Sequence, residues 1–383
     1  SPDEDVIPRR AELVCTGAGL SIRKLMSLSL DLAERDLKLT TFTGSWIREA
    51  HRHDAAVEGT LVNESRTGFS SNRANPGFIL SERAADERRG RGWGFNLVYS
   101  GNHMSCVSAD PRGTVRVMSG ISPDRFEWRL GTGESFETPE AVMCFSAEGL
   151  GGMSRAMHDF VNRHIVRGPW AGRGRPVLVN AWEGFMFDFD AKRLLSVAKR
   201  AKAMGAELFV MDDGWFVGRD DDTGGLGDYE PDAKKLPEGV SGLAREVKKL
   251  GLGFGIWVEP EAVSPKSRLY AAHPDWAITE PGREPVYGRN ELLLDLTRGE
   301  VRDYIVDSVT RLLDSAEISY VKWDMNRQMA GVGGAYSHRY ILGLYEVLHR
   351  VFDARPDILF ESCSSGGNRF DLGMLCFSPQ IWA

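Results

Sequence analysis

The chain has 383 residues and a formal net charge of −7, with 54 acidic against 47 basic side chains. That length exceeds one small core and suits a barrel plus a smaller domain, while the acidic balance argues against nucleic acid or another polyanion as partner. No run approaches the about 20 apolar residues of a membrane helix, the start Ser1-Pro-Asp-Glu-Asp5 is unlike a signal peptide, and five scattered cysteines without a CxxC pair suit free thiols; a soluble, cytoplasmic protein is expected.

Residues 1–150 read as an antiparallel β-sandwich domain. Short runs from Phe95 to Ser100, Thr114 to Met118 and Phe126 to Leu130 are punctuated by Gly101-Asn102, Gly120 and Gly131 to Gly133. Arg83, Arg88, Arg89 and Arg91 are interrupted by Asp86 and Glu87 and read as a solvated loop; His51-Arg-His53 reads as surface. Residues 151–175 form a linker helix. Its apolar face is Met153, Met157, Phe160, Val161 and His164, and Gly168-Pro169 stops it.

From 176 to 383 the pattern becomes strand, turn, helix, repeated. Strands are predicted from Val177 to Trp182, Leu208 to Met211, Phe254 to Val258, Leu292 to Leu296, Tyr320 to Trp323 and Ile358 to Phe360, with another beginning at Ile381-Trp-Ala383. Between them, Leu194, Leu195, Ala198, Ala201 and Met204 make a helix face closed by Gly205, and Leu243, Val247 and Leu250 one closed by Gly251. Val301, Ile305, Val309, Leu312 and Leu313 mark a third helix, and Ile341, Leu344, Tyr345, Leu348 and Phe352 a fourth. No Gly-x-Gly-x-x-Gly turn follows the first strand, which disfavours a dinucleotide-binding sheet. The expectation is an α/β fold: a (β/α)8 TIM-type barrel, incomplete in this chain, behind the sandwich.

The predicted strand ends carry Trp182-Glu183, Asp212-Asp-Gly-Trp215, Trp257 with Glu259 and Glu261, Asp295, Lys322 with Asp324, and Glu361 with Cys363. In parallel α/β architectures this end is the functional face. Carboxylates accept hydrogen bonds from neutral hydroxyls and flat aromatic faces stack on sugar rings, so their recurrence together points to a carbohydrate. Asp212 and Asp213 can both reach one ligand only if the strand has turned by Gly214. Lys322 and Asp324 share a face, and a cation beside Asp324 keeps it ionised, as a carboxylate nucleophile requires. Glu259 or Glu261 is expected as an acceptor holding Lys322 or a tryptophan indole. Asp220-Asp-Asp222 lacks the alternate-position spacing of a calcium loop. Neither a metal nor a cofactor is expected.

Five motifs, four of them at these strand ends, resemble glycoside hydrolase family 36, the bacterial α-galactosidases. They are Asp212-Asp-Gly-Trp215, Ile256-Trp-Val-Glu-Pro-Glu261, Gly288-Arg-Asn290, Tyr320-Val-Lys-Trp-Asp-Met-Asn326 and Glu361-Ser-Cys-Ser-Ser-Gly-Gly367, in order and at family spacing. The resemblance covers about Thr43 to the last residue. It implies a β-sandwich before a (β/α)8 barrel, and retaining α-galactosidase activity on melibiose- or raffinose-type sugars through a covalent galactosyl-aspartate. It matches Asp324 to the nucleophile and Asp212 with Asp213 to the pair gripping the galactose 4- and 6-hydroxyls. Lys322, Cys363 and Gly366 match further sugar contacts, Trp257 an aromatic platform, and Trp182 and Arg289 residues lining the same pocket.

Retention needs two carboxyl groups about 5 to 5.5 Å apart. The family's acid/base aspartate closely follows an Ile-Trp-x-Ser sequence, so the resemblance puts it just beyond Ile381-Trp-Ala383. It also implies a homotetramer whose first sandwich segment, shortened here, lends residues to a neighbour's site. The loop from Met329 to His338 is shorter than usual, and Ser365 stands where many members have glycine. Two other functions stay open: an α-N-acetylgalactosaminidase, which needs room beside Cys363 and Gly366, and a non-catalytic galactose-binding fragment.

Overall fold

The computed structural model describes residues 4–280, 282–329 and 332–382. Ala383, and Ala330 and Gly331 of the Met329 to His338 loop, lie outside them. Two antiparallel sheets occupy the N-terminal third. One runs Val6–Arg9, Glu140–Ser146, Gly92–Val98, Phe78–Glu82, Leu37–Ser45, Arg48–Ala56; the other runs Met26–Leu32, Val115–Ile121, His103–Ala109, Thr60–Glu64. Inward residues of both sheets, Leu39, Leu80 and Leu97 with Leu28, Val107 and Val117, meet in one core, as alternation across a pleat requires.

The three predicted strands of this region are present as Gly92–Val98, Val115–Ile121 and Trp128–Leu130. Arg48–Ala56 was not predicted. Nearly all of its residues are exposed, so its sequence carries no alternation; it is a strand because it pairs with Leu37–Ser45 through a hairpin turning at Trp46-Ile47. The linker helix is Gly149–Phe160, continued as a π-helical turn over Val161–Ile165, with Met153 and Phe160 buried against Val142 and Cys144.

The rest of the chain builds a parallel six-stranded sheet in the order Leu178–Asn180, Leu208–Met211, Gly253–Val258, Tyr320–Trp323, Leu359–Ser362, Gln380–Ile381. Helices Ala191–Ala203, Gly239–Lys249, Gly299–Ser315 and Gly334–Phe352 intervene, which is an incomplete (β/α)8 barrel. One predicted strand leaves this ladder. Leu292–Leu293 pairs antiparallel with Ala262–Val263, while Gly255 pairs directly with Tyr320. Leu292, Leu293 and Leu294 are fully buried, so the apolar run marks burial correctly and the wrong backbone partner. Asp295 consequently caps Thr297 rather than ending a barrel strand. Met204, expected on a helix face, is 88% exposed, because the helix has already ended; Gly205 makes the left-handed turn at φ +94°.

The seam between sandwich and barrel is polar. Asp371 accepts hydrogen bonds from Ser100 Oγ at 2.7 Å and from Ser70 Oγ, and it also caps the helix Leu372–Leu375 through Met374 N. Tyr345 Oη accepts from Ser100 N at 2.9 Å, and Tyr99 Oη lies 2.9 Å from His338 Nδ1.

Candidate active site

The register of the parallel sheet brings the functional residues to one end. Trp257 lies beside Lys322 and Val258 beside Trp323, and Asp324 N donates to Val258 O at 2.8 Å, so Asp324 sits one step past the last strand pair. The Leu208–Met211 strand ends before Asp212, and Gly214 turns the chain at φ +105°. A β-carbon there would stand 3.2 Å from both the Phe187 and the Phe189 rings. The turn lets Asp212 and Asp213 face one cavity.

That cavity measures about 560 Å³ and is lined by all nine predicted site residues: Asp324, Asp212, Asp213, Trp182, Trp257, Arg289, Lys322, Cys363 and Gly366. Asp324 is buried, and its carboxylate receives four N–H groups. Trp257 Nε1 donates to Oδ2 at 3.1 Å and Asn326 Nδ2 to the same oxygen at 2.9 Å; Met325 N donates to Oδ1 at 2.8 Å and Ser365 N at 3.4 Å. Burial alone pushes this carboxyl up. The Lys322 charge and hydrogen bonds from Cys363, Trp257 and Asn326 outweigh burial and hold it below the ordinary aspartate value. The Cys363 thiol is pushed far up by burial and by the Asp324 charge, so it remains protonated and able to donate.

Lys322 differs from its expected place. Its ammonium pairs with Asp212 Oδ2 at 2.9 Å and stands 4.3 Å from the Trp382 ring centroid, so it acts on Asp324 through its field. Asn180 Nδ2 donates to the same Asp212 oxygen at 2.6 Å. Asp213 is gripped by Arg219, whose Nε and Nη2 each lie 2.9 Å from a carboxylate oxygen, both side chains being shut off from solvent. Burial works against the Arg219 charge, but Asp213 overrides it and raises the guanidinium further. Burial, the largest influence, still raises the Asp213 carboxyl against the Arg219 pull, and both aspartates present fixed oxygens to the cavity.

The rim comes from irregular backbone. Trp182 does not end a strand; the strand stops at Asn180, and Trp182 opens a one-turn helix with its N–H on Asn180 Oδ1 at 2.8 Å. Arg289 lies over the Trp182 ring, 5.9 Å from its centroid. Arg289 and Asn290 are both left-handed, at φ +49° and +60°, in a two-residue turn closed by backbone bonds between Gly288 and Glu291. Ser365 and Gly366 are likewise both left-handed, at φ +48° and +81°, with Ser364 N donating to Gly366 O at 2.9 Å. The exposed hairpin tip Trp46-Ile47 of the sandwich also lines the cavity. A second cleft of about 420 Å³ adjoins, sharing Trp46, Asn326 and Ser365.

Several strand-end residues have other duties. Trp215 is fully buried, its indole donating to Trp257 O at 3.0 Å, so it packs rather than lines the cavity. Glu261 accepts the Trp323 indole at 2.9 Å and pairs with Arg369, whereas Glu259 accepts from Asn326; neither holds Lys322. Glu361 accepts the Tyr320 hydroxyl. Arg219, Asn180 and the Trp46-Ile47 tip escaped sequence reasoning because each lies on a loop or strand without periodicity. Asn326 was legible, as the last residue of its motif. Asp220 pairs with Lys235 at 2.9 Å and Asp222 accepts from Asn290, and among the described residues no cluster of His, Cys, Asp and Glu is arranged to hold a metal.

Comparison with known proteins gives two family matches. Residues 135–383 match the melibiase family and residues 1–131 the glycosyl hydrolase family 36 N-terminal domain. Alpha-galactosidase AgaA of Geobacillus stearothermophilus is 46% identical over 376 residues, covering 96% of this chain and 52% of AgaA. Alpha-galactosidase C of Emericella nidulans is 42% identical over 398 residues, covering all of this chain and 53% of that protein. The chain therefore spans about half the length of the curated relatives it matches. A crystal structure of an AgaA variant in complex with raffinose superposes with a TM-score of 0.97 at 44% identity, over 99% of this chain and 54% of that one. The α-galactosidase of Lactobacillus brevis gives 0.98 at 39%, over 100% and 53%.

Proposed function

The chain belongs to glycosyl hydrolase family 36, and on that premise we propose that the complete protein is a retaining α-galactosidase. It removes terminal α-galactosyl residues from raffinose-type oligosaccharides through a covalent galactosyl-Asp324 intermediate. The observation that carries this reading is the Asp324 carboxylate, held ionised at a cavity wall by four N–H donors and the Lys322 field. An ionised carboxylate that no cation neutralises by contact is free to attack an anomeric carbon.

Asp212 and Asp213, fixed by Lys322 and Arg219, accept the sugar hydroxyls in one orientation. The leaving oxygen also needs a proton donor, and the resemblance of the Ile381-Trp382 segment to the family puts that donor on an aspartate closely following it. The adjoining cleft beside Trp46 takes the remainder of the oligosaccharide. Cytoplasmic residence and homo-oligomeric assembly belong to the same proposal, the former supported by five cysteines that form no disulfide. No helix among the described residues is long and apolar enough to cross a membrane.

The test is turnover of p-nitrophenyl α-galactoside by the natural full-length protein, run beside the N-acetylgalactosaminide. Galactoside turnover that disappears in Asp324→Ala is expected. Full activity in that variant overturns the assignment.

A further inference from the structure

We infer that Glu259 is a positioning residue for Asp324, acting through the side chain of Asn326 and without touching the sugar. The inference rests on the reading of Asp324 as the nucleophile. Glu259 is fully buried one residue past the Gly253–Val258 strand and does not line the cavity. Its two oxygens both receive donors from one residue: the Asn326 backbone N–H reaches Oε1, and Asn326 Nδ2 reaches Oε2 at 2.9 Å. The second hydrogen of that amide goes to Asp324 Oδ2 at 2.9 Å, and Asn326 Oδ1 accepts Ser365 Oγ at 2.9 Å.

An ionised carboxylate only accepts, so it selects one orientation of the asparagine amide. Turning the amide over would set its carbonyl oxygen against Glu259 and withdraw the donor from Asp324. The charge on Glu259 therefore decides whether Asp324 Oδ2 keeps both of its hydrogen bonds.

The same geometry makes the link sensitive to pH. Glu259 faces the cations Arg289 and Arg219 and the acidic groups Asp324 and Glu291; its backbone N–H donates to Tyr229 Oη at 3.2 Å. Burial and the Asp324 charge push the Glu259 carboxyl up to about 7, against Arg289 and the Asn326 bonds. A proton on Glu259 turns one acceptor into a donor facing an N–H, and Asn326 is released. When the galactosyl ester forms, Asp324 loses its charge and Glu259 ionises more readily, tightening the hold on Asn326 as the intermediate appears.

The experiment uses the natural full-length protein and p-nitrophenyl α-galactoside across about pH 5 to 9. Glu259→Gln is expected to lower kcat about 10- to 100-fold with KM little changed, as loss of a group that aligns the reacting carboxylate should. The acid-side inflection near pH 7 in kcat/KM should vanish. In the Asn326→Ala background the Glu259→Gln change should cost almost nothing further, because the link is already cut. A folded Glu259→Gln protein with the wild-type rate and pH profile overturns the inference, as do losses that multiply with Asn326→Ala. If Glu259→Gln does not fold, Asn326→Ser alone decides: loss of the inflection supports the link, and its retention overturns it. Asp324→Ala separates the two levels. Turnover surviving in Asp324→Ala sinks the nucleophile assignment, whereas turnover abolished there beside an unaffected Glu259→Gln sinks only the role of Glu259.

Discussion

Replacing Arg219 by methionine removes the cation that holds Asp213 while keeping much of the side-chain length. Asp213 is then left with burial and the neighbouring Asp212 charge, both of which raise its pKa, opposed only by the smaller pull of Arg289 once Arg219 is gone. A buried carboxylate in that position either stays charged or takes up a proton, and it follows the cheaper course. Taking up a proton costs about 1.36 kcal/mol for each pH unit above the ordinary aspartate value of about 3.9, or about 5 kcal/mol at pH 7.5 and about 1.5 at pH 5. Staying charged and unpaired costs about 3–5 kcal/mol. The folded pKa of Asp213 in this variant lies above its unfolded value. Stability is therefore fully retained below the unfolded pKa and lost as pH rises through the folded one. Arg219→Met should be about 3–5 kcal/mol less stable than wild type near pH 7.5, with a deficit at least about 1 kcal/mol smaller near pH 5. Urea unfolding followed by tryptophan fluorescence at both pH values measures it. A deficit below about 1 kcal/mol near pH 7.5, or one that grows as pH falls, refutes the assignment of Arg219 as the counter-charge of Asp213.

The remaining predictions concern packing, the seam and pH. Gly343→Ala puts a β-carbon 2.1 Å from the Leu296 carbonyl oxygen; the overlap should outweigh alanine's helix preference of about 1 kcal/mol and lower stability by about 1–3, read by thermal melting. Asp371→Ala removes two hydroxyl partners and a helix cap at the seam, and a loss of about 3–5 kcal/mol is expected in the same measurement. Burial pushes both His103 and His338 down to about 4. Their stabilising effect is present above the unfolded value of about 6.5 and is lost as pH falls from there through about 4. Replacing His103 by glutamine should flatten the acid limb of a stability–pH curve by one proton's slope. An unchanged slope would count against that burial.

The barrel strands were legible because each is a short apolar run that changes abruptly to charge, as Val321-Lys-Trp-Asp324 does. What such runs do not encode is the identity of the backbone partner. Leu292–Leu293 is as apolar as any of them, yet it lies in a small antiparallel ribbon. The site was legible to the extent that its residues stand at strand ends, where Asp212, Lys322 and Asp324 all project into one cavity. Spacing alone paired Lys322 with Asp324, because two residues apart means the same face; the contact with Asp212 comes from the next but one strand and has no trace in local sequence. Arg219 is set by the loop after Gly214, whose path only the packed structure fixes. Arg48–Ala56 carries no apolar residue larger than alanine, since neither of its faces meets the core.

The hairpin tip at Trp46-Ile47 makes the cavity a joint possession of two architectures. Transplanting the barrel onto another scaffold would carry away both aspartate pairs and leave behind the wall that narrows the entrance. Exchanging the sandwich without the barrel would therefore alter the cavity wall at Trp46-Ile47. The polar seam at Asp371, Ser70 and Ser100 ties the sandwich that carries that tip to the barrel whose strand ends face the cavity.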